Sequence, residues 1–73
     1  MRLLAKPNRI KELRIRRGLS QGDVAELIGI SRQHYSMVEA GSASPSPRAA
    51  KKVADFYSVE IDDLFNTLLI RAS

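Results

Sequence analysis

Three residues, Gly29-Ile30-Ser31, stand between two stretches that each read as a helix of about eight to ten residues, and no feature restricts the fold more. A connection that short forces the two helices to meet at a sharp angle. The first stretch opens at Ser20, whose hydroxyl can accept from orphan amides of the first turn. Asp23, three residues on, can answer as a short capping box. Val24, Leu27 and Ile28 follow at helical spacing before Gly29. Ser31 caps the second stretch, which runs to Gly41 with Tyr35 and Val38 on one side.

The rest of the chain punctuates itself in the same way. Pro7-Asn8 opens a first helix with Ile10 and Leu13 as its apolar stripe and Gly18 as its stop. Ser42-Ala43-Ser44-Pro45 reads as a loop, and Ser46-Pro47 as a cap followed by proline at the first helical position. Ala50, Val53, Ala54 and Tyr57 then form the clearest amphipathic stripe of the sequence. Val59, Ile61, Leu64 and Phe65 suggest one more short helix, with Asp62 and Asp63 as first-turn acids. Adjacent on a helix, those two acids point about 100° apart and do not make a catalytic dyad. No period-two alternation appears, so the expected fold is all-α, a compact bundle of five short helices.

At 73 residues there is room for one core. The expected organisation is a basic N-terminal arm over 1–7, a helical domain over 8–65 and a C-terminal tail over 66–73. The tail carries Leu68, Leu69 and Ile70, which either fold back on the core or cover a partner subunit. With no cysteine and His34 as the single histidine, neither disulfides nor a metal site is expected, nor any cofactor. His34 lies at the edge of the inward arc of its helix and reads as a spacer. The longest run without a polar side chain is Leu27-Ile28-Gly29-Ile30, and Met1–Pro7 has no signal-peptide core. A soluble, cytoplasmic domain is the expectation, with no membrane partner.

Charge is distributed unevenly. The chain is +4 overall, yet residues 1–20 hold Arg2, Lys6, Arg9, Lys11, Arg14, Arg16 and Arg17 against Glu12 alone. Such a block points to a polyanion, nucleic acid ahead of a membrane surface, or else to a merely solvated helix face.

On a wheel of about 100° per residue, Arg32, Gln33, Ser36, Met37 and Ala40 share one arc, while Tyr35, Val38 and Glu39 face away. Arg and Gln can make bidentate contacts to guanine and adenine edges in a major groove. Small Ser36 and Ala40 would allow close approach. Met37 suits either a thymine methyl or the edge of the core.

The run Gln21-Gly22-Asp23-Val24-Ala25 through Gly29-Ile30-Ser31 to Val38-Glu39-Ala40-Gly41 resembles the helix-turn-helix of the phage repressor/Cro (Xre-type) family. The resemblance covers about residues 8–65 and includes the preceding Arg16-Arg17-Gly18-Leu19-Ser20 and the following Pro45. Ala25, Gly29, Ile30, Val38 and Glu39 sit at the family spacing, each for a reason. Ala25 is small where helices cross, Gly29 permits a left-handed turn, and Ile30 and Val38 pin the second helix to the core.

The resemblance implies that Arg32, Gln33, Ser36 and Met37 face base edges, and that Gln21, Ser31, Ser42 and Ser44 contact phosphates, with Arg9 expected to add a phosphate contact in compensation for the uncharged loop after the second helix. It also implies a structural ion pair between Arg14 and Glu39. Four departures stand out: Gly22 in place of a helix former, Tyr35 in place of a branched aliphatic, an uncharged Ser42-Ala43-Ser44 loop, and Ser58 at a turn that is often glycine.

The implied function is sequence-specific binding of double-stranded DNA by a transcription regulator, a repressor in its expected sense. It would act as a homodimer on a palindromic operator, without a small-molecule ligand. The alternative is a protein-interaction module or antitoxin-type component that uses Tyr35, Met37 and the tail. An enzyme is not expected, because there is no cysteine, no phosphate-binding glycine loop and only one histidine, without an evident partner.

Overall fold

Serine hydroxyls start three of the helices. In a computed structural model that describes residues 2–68, α1 spans Arg9–Arg16, α2 Gln21–Ile28, α3 Arg32–Ala40, α4 Pro47–Phe56 and α5 Ile61–Leu64. The Asp23 amide donates to Ser20 Oγ at 3.0 Å and the Ser20 amide to Asp23 Oδ2 at 2.9 Å, a reciprocal capping box. Ser31 Oγ accepts from the His34 amide at 3.0 Å, and Ser46 Oγ from the Ala49 amide at 3.1 Å. Pro47 then takes the first position of α4, where a missing amide costs nothing. Helix α1 differs: Asn8 precedes it with φ at 62° and makes no side-chain capping bond.

Gly29 makes the elbow between α2 and α3. Its φ of 80° lies in the region that a side chain disfavours. The amides of Gly29 and Ile30 both reach the Ala25 carbonyl, at 2.9 and 3.0 Å, and so close α2. Ala25 is buried where the two helices meet, and Val24, Tyr35 and Val38 join Ile10, Ala50, Val53, Ala54, Tyr57, Leu64 and Phe65 in one core. Leu27, expected on the inward stripe, is instead 65% exposed. Val24, Ala25 and Ile28 define the buried face of α2, and Leu27 falls beyond its flank.

The sequence pattern shows no strand, but the structure has two. Residues Arg2–Ala5 (β1) and Phe65–Leu68 (β2) pair antiparallel, with Leu3 opposite Thr67 and Leu4 opposite Asn66. Residues 2–5, expected within a basic arm, are therefore tied to the domain. Four-residue strands are too short to display alternation, and these two lie at opposite ends of the sequence. Leu3 and Phe65 carry the ribbon's side chains into the core. The five-helix bundle stands, with the ribbon as a minor addition. Of the apolar tail, Leu68 ends β2, while Leu69 and Ile70 lie outside the described residues.

Candidate nucleic-acid interface

The inward side of α3 is locked by charge as well as by packing. Arg14 grips Glu39 with two parallel bonds, Nε to Oε2 at 2.9 Å and Nη2 to Oε1 at 3.0 Å. Its Nη1 donates to the Leu19 carbonyl at 2.9 Å, so one guanidinium ties α1, the turn after it and α3 together. Gln21 Nε2 adds a bond to Glu39 Oε1 at 3.1 Å. Burial alone would raise the Glu39 carboxyl, but the bonds from Arg14 and Gln21 outweigh it and hold the pKa below the ordinary 4.5. The same hydrogen bond to Glu39 lifts Arg14 above its usual value.

Tyr35, the aromatic at an aliphatic position, places its hydroxyl 2.8 Å from that of Tyr57. The pair joins α3 to the end of α4. Burial pushes both phenols above their usual 10.0, so they stay neutral. Because Tyr35 is fully buried, it cannot serve as the partner contact that a protein-interaction reading gave it.

The outward side is open. Arg32 and Gln33 are exposed, Ser36 is half-buried, and Met37 is 41% exposed, which removes it from the core edge. These side chains belong to the first two turns of a helix whose back is packed against the core. Arg32 runs its stem across the start of α2, with Cδ 3.7 Å from where a Cβ on Gly22 would stand.

Beside Ser36 lies a depression of about 490 Å³ lined by Asn8, Lys11, Arg14, Gln21, Ser36, Glu39 and Ala40. It brings Gln21 and Ser36 together. Asn8 and Lys11 share it, and the sequence reading gave Asn8 no part in a site. No signal in the sequence could have found it, because an asparagine before a helix reads as its cap and only the structure shows that Asn8 makes no capping bond.

The remaining candidates are scattered. Arg9, half-buried on α1, is not among the residues that line the depression. Ser31 spends an oxygen lone pair on its cap and keeps its hydroxyl proton to donate. Ser42 is exposed, with its amide bonded to the Met37 carbonyl at 2.8 Å. Ser44 accepts from the Leu3 amide at 3.0 Å and thereby anchors β1 to the loop after α3. The basic block also divides. Arg17 donates to the Phe56 carbonyl at 2.7 Å and lies over the Phe56 and Tyr57 rings, so it braces the end of α4 as Arg14 braces α3. Among the described residues no cluster could hold a metal ion, and no helix is long and apolar enough to cross a membrane.

A sharp elbow, a capped second helix pinned from behind and an open polar front are now in place. The helix-turn-helix family HTH_3 matches residues 10–64. This chain belongs to that family. An uncharacterized HTH-type transcriptional regulator of Methanocaldococcus jannaschii is 40% identical over 58 residues, 80% of this chain and 88% of that protein. The cryptic phage CTXphi transcriptional repressor RstR of Vibrio cholerae is 39% identical over 57 residues, 78% of this chain and 51% of that one. Among solved structures, the restriction-modification controller protein C.AhdI of Aeromonas hydrophila superposes with a TM-score of 0.68 at 33% identity, over 78% of this chain and 83% of that one.

The helix-turn-helix family is one of DNA-binding transcription regulators. In this member the elbow is Gly29-Ile30-Ser31, α2 is the supporting helix and α3 the exposed one. The family pattern also explains why Ala25 and Val38 are sealed while Arg32 and Gln33 are not.

Proposed function

We propose that this chain is a sequence-specific binder of double-stranded DNA that regulates transcription as a repressor, two copies acting on a palindromic operator. One observation carries the reading: α3 presents Arg32, Gln33, Ser36 and Met37 to solvent while Tyr35, Val38 and Glu39 hold it rigidly from behind. In a major groove Arg32 and Gln33 supply bidentate donors and acceptors, Ser36 permits close approach, and Met37 meets a thymine methyl. The Ser31 and Ser42 hydroxyls, Gln21, Arg9 and the proton of the Ser44 hydroxyl serve the phosphates. Lys11 and Asn8, beside Ser36, extend that set. One helix reads too few base pairs for a useful site, so two copies would bind half-sites about 34 Å apart.

The test is selection of bound sequences from random duplexes, followed by affinity measured against salt. A symmetric consensus and a steep fall of affinity with salt are expected. No enrichment, with binding indifferent to salt, would remove the reading. A protein-binding role draws on a different surface, where exposed Leu27 stands beside Leu19, Asp23 and Glu26. A salt-insensitive complex with a protein partner would favour it.

A further inference from the structure

Two residues at the front of the helix pair each work against the helix that holds them. Gly22 occupies the second position of α2, and apart from proline no residue favours a helix less. Arg32 is the first residue of α3, at the positive end of the helix dipole, where a cation is disfavoured. No acid follows it in that first turn. Local rules broken side by side, with no gain to either helix, mark a place where the chain serves something other than stability.

The structure sets these two residues against each other. A Cβ on Gly22 would stand 3.7 Å from Arg32 Cδ and 3.8 Å from Ser20 Oγ. The arginine stem thus crosses the first turn of α2 over bare backbone, and Gly22 is half-buried while Arg32 stays exposed. The polar residues on either side of Gly22 are already engaged. Gln21 Nε2 turns inward to Glu39 Oε1 at 3.1 Å, and Asp23 Oδ2 takes the Ser20 amide at 2.9 Å. A methyl group at position 22 fits at ordinary contact distance. A longer side chain would grow from there into the path of the stem, and a carboxylate at its end would reach the guanidinium and pair with it.

We propose that Gly22 is a positioning residue for base reading: its bare backbone sets the path along which Arg32 reaches a guanine edge, and position 22 admits nothing longer than alanine. The inference rests on the DNA-binding reading and deepens it by giving the supporting helix a part in specificity. Guanine is the base because its N7 and O6 present the two acceptors that a guanidinium fork matches.

Selection of bound sequences from random duplexes tests it, run on the whole chain and its variants, with the helical circular dichroism signal as a check on folding. The readout is base preference at each position rather than affinity, because an added charge weakens binding to every duplex alike. Arg32→Ala identifies the base pair that Arg32 reads. The guanine preference there should then fall with the size and charge of residue 22: by less than about twofold for Gly22→Ala, and by about tenfold for Gly22→Glu. Glutamate suits the first turn of a helix better than glycine, so Gly22→Glu should melt no lower than the wild type. In an Arg32→Ala background the same change should alter no base preference. Gly22→Gln, equal in length and uncharged, should give a smaller loss than Gly22→Glu, and it decides alone if Gly22→Glu loses the helical signal.

A folded Gly22→Glu that keeps the full guanine preference would overturn the proposal. So would a loss spread over positions that Arg32 does not read, which would mean that α3 has shifted as a whole. An Arg32→Ala variant that relaxes no position overturns it too. In each of these cases the wild type still selects a site, and the DNA reading stands. A wild type that enriches no sequence sinks the DNA reading, and the inference with it.

Discussion

Behind α3, Tyr35, Val38 and Glu39 are sealed from solvent, and among the described residues every buried side-chain polar atom has a partner. In front, Gln33 and Met37 stand in water, and the Gln33 side chain holds no hydrogen bond within the protein among those residues. The difference separates two tasks that a single nine-residue helix must perform. The back fixes where the helix lies, so its changes should appear as lost stability. The front has nothing to hold, so its changes should appear in binding and leave the melting temperature alone.

The largest effect belongs to Arg14→Ala. It strands Glu39 in a site where its side chain is 5% exposed, and should cost about 3 kcal/mol in urea unfolding. An unchanged midpoint would mean that the ion pair holds nothing. Acid probes the same bond from the other partner. The folded pKa of Glu39 lies below its ordinary 4.5, so its contribution is fully present above that value and is lost as pH falls through the lower folded one. Glu39→Gln should therefore flatten the loss of stability below pH 4.5, with Asp23, also held low by its bonds to Ser20, supplying the remaining slope.

Gln33→Ala tests the front. It should cost about 1–3 kcal/mol of binding at one base position, relax specificity there, and leave the unfolding midpoint where it was. Equal losses on selected and random duplexes would mean that Gln33 reads no base. A fall in stability would break the comparison itself.

Tyr57→Phe returns to the back on a smaller scale. Alone it deprives the buried Tyr35 hydroxyl of its partner and should cost about 1–2 kcal/mol. Tyr35→Phe together with Tyr57→Phe should cost less than the two single changes added, because no hydroxyl is then left unpaired. Strict additivity in the cycle would mean that the 2.8 Å contact carries no coupling.

Local chemistry is legible in the sequence. The Ser20–Asp23 box, the Gly29 elbow, the Ser46-Pro47 start and the Ala50–Tyr57 stripe all depend on neighbours within a turn or two. Ser58, where the family often has glycine, does adopt a positive φ of 57°. Contacts between distant residues were not legible. Nothing near Tyr35 announces Tyr57, and nothing near Arg2 announces Leu68, because each partner is chosen by the packing of the whole chain. The basic block shows the limit most plainly: composition counts Arg14, Arg17 and Lys11 alike, yet two are braces and one lies at the candidate interface.

Gly22 sits on the seam between back and front, and it carries the smallest expected effect. It occupies the first turn of α2, where alanine should favour the helix by up to about 1 kcal/mol. A Cβ there would meet Arg32 Cδ at 3.7 Å and Ser20 Oγ at 3.8 Å, ordinary contacts that force nothing to move. Gly22→Ala should thus raise the melting temperature by a few degrees, given the roughly 4–8 °C per kcal/mol of a domain this size. If DNA affinity stays level, the glycine is a tolerated loss of helix propensity and Arg32 keeps its path over α2. If affinity falls while stability rises, the bare backbone at Gly22 is where a phosphate comes close. Position 22 would then belong to the front of the molecule even though it lies on the supporting helix.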